Sequence, residues 1–80
     1  MGAFVYILRC GDGTFYTGVA KDIEARLRQH ESGHASRYTR AHLPVVLVWS
    51  RPCESWGEAL REEHRIKQLT RAEKEALIAG

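Results

Sequence analysis

Two polar side chains suited to chemistry, Arg26 and His30, lie one helical turn apart in the segment DIEARLRQHESG, residues 22–33. Asp22 is a favourable N-cap, and Ile23 begins an apolar stripe, so the segment is predicted to be a helix. A helix turns by about 100° per residue, which places Arg26 and His30 on the same face as Ile23. The sequence therefore predicts an arginine and a histidine on the side that the helix presents to the protein.

A second predicted helix places an acid and a base on its inward face. One face of the helix after Ser55 collects six residues at helical spacing: Trp56, Ala59, Leu60, Glu63, Ile66 and Lys67. Glu63 is predicted to point towards the sheet, whereas Glu62 falls well off this face. A carboxylate among apolar side chains loses hydration unless a cation compensates it.

The inward charges have two interpretations. In the first, Arg26 and Glu63 form a partly buried structural salt bridge, and His30 is a hydrogen-bonded neighbour. In the second, the same residues form a functional site, because perturbed ionisable groups gather at such sites. Each residue taken alone favours the structural interpretation, but the set together weakens it.

Two tyrosines of a predicted hairpin add to this set. Tyr6 lies in the middle of the first predicted strand and Tyr16 in the second, and a tight turn joins the strands, so the two rings can come close. Each could equally be a packing residue whose hydroxyl is hydrogen-bonded. Gly18 would let another backbone or a phosphate approach closely.

The elements that must position these residues follow from sequence pattern and turn chemistry. Capping boxes at Ser55–Glu58 and Thr70–Glu73 start the last two helices. The order ββαβαα indicates an α+β domain with one three-stranded sheet and helices packed against it. The predicted elements are strands at 3–10 and 14–19, a helix from residue 22, a loop at 32–44, a strand at 45–50, a helix from 55 to about 69 and a short helix from 70.

Composition limits the class of protein. The chain has 80 residues, enough for one small domain with a shallow cleft or an exposed face as its site. We expect no membrane segment and no signal peptide, because the longest apolar run, VVLVW at 45–49, is far too short to span a bilayer. The two cysteines, Cys10 and Cys53, are expected to be reduced thiols of a cytoplasmic protein.

The charge pattern points to an anionic partner. No acidic residue occurs between Glu31 and Glu54, and this segment contains Arg37, Tyr38 and Arg40. A one-signed segment with interleaved aromatic side chains is typical of a surface that binds a nucleic-acid backbone. A solvated basic loop is an equally good interpretation of composition alone.

Several short motifs together resemble the GIY-YIG nuclease superfamily. The ending QLTRAEKEALI at 68–78 and YTR at 38–40 are similar to its short, stand-alone bacterial branch of the YhbQ type. The resemblance covers nearly the whole chain and implies a single catalytic domain over residues 1–80, with an antiparallel three-stranded sheet flanked by helices. The other matching motifs are FVY at 4–6, YTG at 16–18, DIEARLRQH at 22–30 and EALREEHRIK at 58–67.

The resemblance also implies roles for five residues. Tyr6 and Tyr16 match the paired tyrosines of the family, and Arg26 matches its helix arginine. His30 matches a histidine that several branches place one turn later, and Glu63 matches the single metal-binding glutamate. These are the residues that the hairpin and the two helical faces single out.

The sequence departs from the family pattern at a few positions. Phe4 and Val5 replace the glycine and isoleucine of the first motif, whose tyrosine is retained. Val19 stands where the excision-repair incision nuclease of this superfamily has a lysine, and Lys21 is nearby in a different register. We expect no accessory DNA-binding domain, so the resemblance implies that this domain or a protein partner selects the substrate.

The function implied by the resemblance is a DNA endonuclease that hydrolyses phosphodiester bonds with one divalent ion, Mg²⁺ or Mn²⁺, held by Glu63. We expect single-stranded or branched DNA rather than plain duplex, in DNA repair or processing. Arg37, Tyr38, Arg40 and Lys67 are the candidate DNA contacts. Two alternatives remain: a non-catalytic nucleic-acid-binding module on this scaffold, and an interaction domain whose inward charges are structural.

Overall fold

The structure, a computed structural model, describes residues 2–80 as one antiparallel three-stranded sheet with four helices. The strand order is β2-β1-β3, so β1 is central and β2 forms an edge. The predicted fold class is confirmed. The elements are β1 (Ala3–Arg9), β2 (Phe15–Ala20), α1 (Ile23–Glu31), α2 (Arg37–Ala41), β3 (Val46–Cys53), α3 (Trp56–Lys67) and α4 (Arg71–Ala79).

The hairpin between β1 and β2 sets the register of the site. Gly13 has a φ of 86°, a left-handed conformation that glycine adopts without steric cost, and its amide donates to the carbonyl of Cys10. The side chain of Asp12 accepts hydrogen bonds from the amide and the hydroxyl of Thr14. This turn places Tyr6 directly opposite Gly18 on β2.

The two faces of the sheet carry separate apolar clusters, because successive residues of a strand point to opposite sides. Val5 and Ile7 of β1 lie on the first face, with Ala59 and Ile66 of α3. The second face carries Tyr6 and Leu8 of β1 and the following Cys10, with Ile23 and Leu27 of α1 packed against them. Cys53 belongs to the first cluster, so the two free cysteines lie on opposite faces.

The segment at 32–44, predicted to be a loop, contains the short helix α2. The side chain of Ser36 caps it by accepting from the amide of Tyr38, and Thr39 is fully buried. The prediction was wrong here because five residues are too few to show a helical period. The observed order is therefore ββααβαα.

The predicted inward face of α3 is also wrong in part. Trp56 and Leu60 are 40% and 42% exposed, whereas Ala59 and Ile66 are buried. The small side chain of Ala59 lets the helix approach the sheet, so the contact face is rotated away from the larger apolar residues. Consequently both Glu62 and Glu63 flank the buried stripe, with side chains 18% and 20% exposed.

The two predicted capping boxes have different outcomes. At Thr70–Glu73 both reciprocal hydrogen bonds are present. Ser55 accepts from the amide of Glu58, but the Glu58 carboxylate accepts from the amide of Glu54 instead of that of Ser55. The serine caps α3 as expected, and the glutamate binds one residue further out. None of the helices in residues 2–80 has the length and apolar character needed to cross a membrane.

Candidate active site

The ring of Tyr6 lies across Gly18 at the edge of the sheet. A Cβ atom added at Gly18 would lie 2.5 Å from the Tyr6 hydroxyl oxygen and 3.2 Å from Cε2 of Tyr16. We predicted from the sequence that Gly18 admits a backbone or a phosphate, but the space above it is filled by the Tyr6 phenol. Glycine at this position therefore allows the tyrosine to reach across β2 towards α1.

A chain of hydrogen bonds connects the sheet to both nearby helices. The Tyr6 hydroxyl lies 2.8 Å from Nε2 of the fully buried His30 on α1. Nδ1 of His30 lies 2.8 Å from Oγ1 of Thr39 on α2, and that hydroxyl donates to the carbonyl of Ser36 at 3.3 Å. Each polar atom of the imidazole therefore has a partner inside the protein.

The hydrogen-bond partners assign the tautomer of His30. Because the Thr39 hydroxyl gives its proton to the Ser36 carbonyl, its oxygen accepts from the N–H at Nδ1 of His30. Nε2 then carries a lone pair, which accepts the hydroxyl proton of Tyr6. The imidazole is oriented to receive a proton from the phenol.

The surroundings hold both groups in their neutral forms at neutral pH. Burial, reinforced by the nearby Tyr16 phenol, raises the pKa of Tyr6 to about 12, and the Arg26 guanidinium only partly opposes this. Burial lowers the pKa of His30 from its ordinary value, and the positive charge of Arg26 lowers it further. A neutral imidazole is the form that can accept the phenol proton.

Tyr16 belongs to an aromatic cluster that joins the hairpin to α1 and α2. Its ring meets the imidazole of His30 edge-on at 5.2 Å between centroids and lies roughly parallel to Tyr38 at 6.2 Å. Tyr38 also stacks on His42 at 4.2 Å, and its hydroxyl donates to Thr14. Tyr38 is thus positioned by an aromatic neighbour and by a hydrogen bond at its hydroxyl, while its side chain stays exposed.

Arg26 and Glu63 bring opposite charges to the Tyr6 phenol from different helices. The guanidinium lowers the pKa of Tyr6 and the carboxylate raises it, so both lie within electrostatic reach of the hydroxyl. Within residues 2–80 no ion pair joins Arg26 to Glu63. The Glu63 carboxylate instead pairs with Lys67 at 3.3 Å on its own helix. The structural salt bridge considered from the sequence is not formed.

The two adjacent glutamates have different partners. Glu62 binds Arg51 of β3 at 2.7 Å and Arg65 at 2.9 Å, and these arginines hold the pKa of its carboxyl below the ordinary value. Glu63 lies on the other flank of α3, towards the Tyr6 phenol. Only Glu63 of this pair is placed to act with the tyrosines.

The donor set suits a hard cation held by few protein ligands. In the part of the chain that the structure describes, no three His, Cys, Asp or Glu side chains converge as a metal-ligating group. A single carboxylate oxygen donor such as Glu63 fits Mg²⁺, which fills the rest of its coordination shell with water and phosphate oxygens.

The remaining predicted residues lie outside this centre. Arg37 and Arg40 are exposed on α2, and the Lys67 side chain is 53% exposed. Sequence reasoning missed Thr39, which orients His30 from a helix that was predicted to be a loop. Ser36, a typical N-cap residue three positions earlier, is the feature of the sequence that could have indicated this helix.

Comparison with known proteins assigns the family. Residues 2–76 match the family model described as the GIY-YIG catalytic domain. The chain belongs to the GIY-YIG family. This is a nuclease family with a DNA substrate, and its members generally use a divalent metal ion.

The relatives extend over nearly the full chain. A UPF0213 protein of Halobacterium salinarum is 48% identical over 74 residues, covering 92% of this chain and 96% of that protein. A UPF0213 protein of Staphylococcus aureus is 47% identical over 75 residues, covering 94% and 92%. These relatives confirm the resemblance to the short YhbQ-type branch of the GIY-YIG family.

Two solved structures share the GIY-YIG fold of this chain. The solution NMR structure of the UPF0213 protein BH0048 from Bacillus halodurans has a TM-score of 0.64 and 42% identity, covering 99% of this chain and 84% of that one. The solution NMR structure of EF2693 from E. faecalis has a TM-score of 0.66 and 36% identity, with the same coverage.

Gly18→Ala should disrupt the site directly. The new Cβ overlaps the Tyr6 hydroxyl, so the ring must move and its hydrogen bond to His30 is lost. We expect the free energy of unfolding to fall by about 1–3 kcal/mol, as for other overpacking substitutions. Urea denaturation measures this change. Gly57→Ala is the matched control, since its nearest contact is an ordinary 3.6 Å; equal stability changes in both variants would contradict the packing described.

Because of His30, the protein should become less stable as the pH is lowered. Its pKa is lower in the folded protein than in the unfolded chain, so the unfolded chain binds the proton more readily. The free energy of unfolding should therefore decrease as the pH falls below about 6.5. Denaturation of the parent protein and of His30→Gln measures this effect, because the other histidines are common to both. Parallel pH profiles, or an imidazole that titrates by NMR at an ordinary pKa, would refute it.

Proposed function

We propose that the protein is a divalent-metal-dependent DNA endonuclease that hydrolyses phosphodiester bonds by in-line attack of water. The observation that carries the proposal is the 2.8 Å contact between the Tyr6 hydroxyl and Nε2 of a neutral, buried His30. It lies beside Arg26 and Glu63, the two charges that such a reaction requires.

Tyr6 acts as the general base through His30. With a pKa of about 12, its phenolate is too scarce at neutral pH to deprotonate water on its own. In the proposed step the Tyr6 oxygen takes a proton from water while its own proton moves to Nε2 of His30. Tyr6 stays neutral, and the proton ends on an imidazole that Thr39 holds through Nδ1.

Arg26 binds the scissile phosphate. Its planar guanidinium offers paired donors to phosphate oxygens and offsets the negative charge that develops in the transition state. A bound phosphate also neutralises the cation that disfavours protonated His30, so substrate binding makes the imidazole a better proton acceptor. Tyr16 presents its phenol ring on the same face, with His30 and Tyr38 fixing its orientation.

Glu63 is the proposed ligand of a single Mg²⁺ or Mn²⁺ ion. When bound, such an ion stabilises the charge on the leaving oxygen. The present partner of Glu63, Lys67, is more than half exposed, and an exposed ion pair within a helix contributes little stability. The carboxylate can therefore exchange this partner at low cost, which frees Lys67 for a DNA phosphate.

The exposed cations beside the centre form the proposed DNA surface. Arg37 and Arg40 project from α2, whose Thr39 faces inward to His30, so the same short helix joins the substrate surface to the centre. Tyr38 lies between them in the sequence and is exposed, and its proposed part is contact with the DNA. We propose single-stranded or branched DNA as the substrate, in repair or processing.

Glu63→Gln should abolish cleavage, because the neutral amide is a poor ligand for the ion. Glu62→Gln is the matched control. It lies one residue away with similar exposure and binds Arg51 of β3 and Arg65 of α3, so it should cleave almost normally. The measurement is cleavage of labelled single-stranded, duplex and branched DNA with Mg²⁺ or EDTA, alongside melting temperatures. Cleavage by Glu63→Gln at the parent rate would refute the mechanism, and binding of DNA by every protein without cleavage would favour the non-catalytic module.

Replacing Arg37 and Arg40 by alanine should weaken DNA binding for all sequences alike. The slope of log affinity against log salt should flatten by roughly one unit per lost phosphate contact. Arg9→Ala, which removes an exposed arginine at the end of β1, is the control and should leave the slope unchanged. Fluorescence anisotropy at several salt concentrations measures it. The same slope in the double variant as in the parent protein would exclude α2 from the interface.

A further inference from the structure

A cleft of about 270 Å³ opens beside Arg26, between α1 and the start of α3. It is lined by residues from the end of β2 to α1 and by Trp56. Trp56 is the first residue of α3 and is 40% exposed. The cleft therefore combines the proposed phosphate-binding arginine with a large accessible aromatic ring.

Trp56 lies at the margin of the packing of the domain, since it is 40% exposed. Among residues 2–80 it belongs to neither apolar cluster of the sheet, whereas Trp49, the other tryptophan, packs against the cluster on the α3 face. α3 is held by Ala59 and Ile66 instead. A flat aromatic surface left free beside a phosphate site is typical of single-stranded nucleic-acid binding, where bases stack on aromatic side chains.

We propose that Trp56 stacks on the base of the nucleotide whose phosphate lies at Arg26, which makes the cleft a nucleobase subsite. The inference rests on the proposed nuclease function and adds a residue that determines which substrates fit. A cleft of about 270 Å³ has room for one planar ring system of the size of a nucleobase.

The polar groups of the cleft suit a nucleotide. Arg26 and Lys21 supply two cations against the single carboxylate of Asp22, which is already engaged as the N-cap of α1 through the amide of Ala25. Gln29 adds an amide that can both donate to and accept from a base edge. A second copy of this chain would bring the same cations to the same place, so charge favours the nucleotide as the occupant.

The subsite selects for unpaired bases. A base can stack on Trp56 only after it has left the stack of a duplex, which costs least in single strands, flaps and frayed branch points. Stacking is tolerant of base identity, because every base has an aromatic face.

Tryptophan fluorescence in EDTA tests the subsite without cleavage. Titration with a single-stranded oligonucleotide should quench the emission, and an abasic strand of equal length and charge should quench it far less. Trp56→Ala should bind the normal strand about 5- to 150-fold more weakly and the abasic strand as before. Trp56→Phe should retain most of the affinity but lose the quenching, and Leu60→Ala, equally exposed one turn away, should behave as the parent protein.

The outcomes separate this proposal from the nuclease function. Quenching without any cleavage in Mg²⁺ would support the subsite while refuting the nuclease, and cleavage without quenching would refute the subsite alone. Equal quenching by normal and abasic strands, or unchanged affinity of Trp56→Ala for the normal strand, would also overturn it. So would emission changes that depend on protein concentration without DNA, since these would assign the indole to an interface between copies of the chain.

Discussion

The hydrogen bond between Tyr6 and His30 is the contact on which the arrangement of the site depends. It joins the central strand to α1, and through Thr39 it extends to α2, so three elements that are distant in sequence are held by one imidazole. The bond exists because Gly18 leaves room for the phenol to cross the edge strand. The same burial that makes the contact keeps Tyr6 protonated and His30 neutral, so packing and protonation have a common cause. The proposed proton path and a contact that holds the fold together therefore involve the same pair of atoms.

Much of this centre could be predicted from the sequence because it follows from regular periods. The 3.6-residue period of α1 placed Arg26 and His30 together, and the hairpin placed Tyr6 near Tyr16, as the structure confirms. The partner of His30 could not be found in this way. Thr39 lies on a helix of only five residues. Its contact with His30 depends on the packing of α2 against α1, which the periodicity of the sequence does not indicate.

The error in the face of α3 has a physical explanation that also bears on function. A helical wheel assumes that the largest apolar residues face the core, and Trp56 and Leu60 therefore set its direction. The structure buries Ala59 instead, because a methyl group lets the helix backbone lie close to the sheet. The rotation leaves the indole of Trp56 outside and moves Glu62 and Glu63 to opposite flanks of the same stripe. A large aromatic residue such as Trp56, which the helical pattern predicts to be buried but which is exposed in the structure, is therefore a candidate for a binding surface.

In the proposed mechanism, the charge of Arg26 acts differently on His30 before and after the substrate binds. In the free protein the charge of Arg26 disfavours protonation of His30. The proposed proton transfer from Tyr6 therefore begins with a neutral imidazole and ends with an imidazolium ion that is costly to form. A phosphate bound at Arg26 cancels that charge, and the cost of the protonated imidazole falls only when substrate is present. The carboxylate of Glu63 acts in the opposite sense on the phenol, since its negative charge raises the pKa of Tyr6. A cation held by Glu63 would oppose this effect, whereas a phosphate at Arg26 would oppose the lowering of the same pKa by the guanidinium, so the two ligands would act on the Tyr6 phenol in opposite directions.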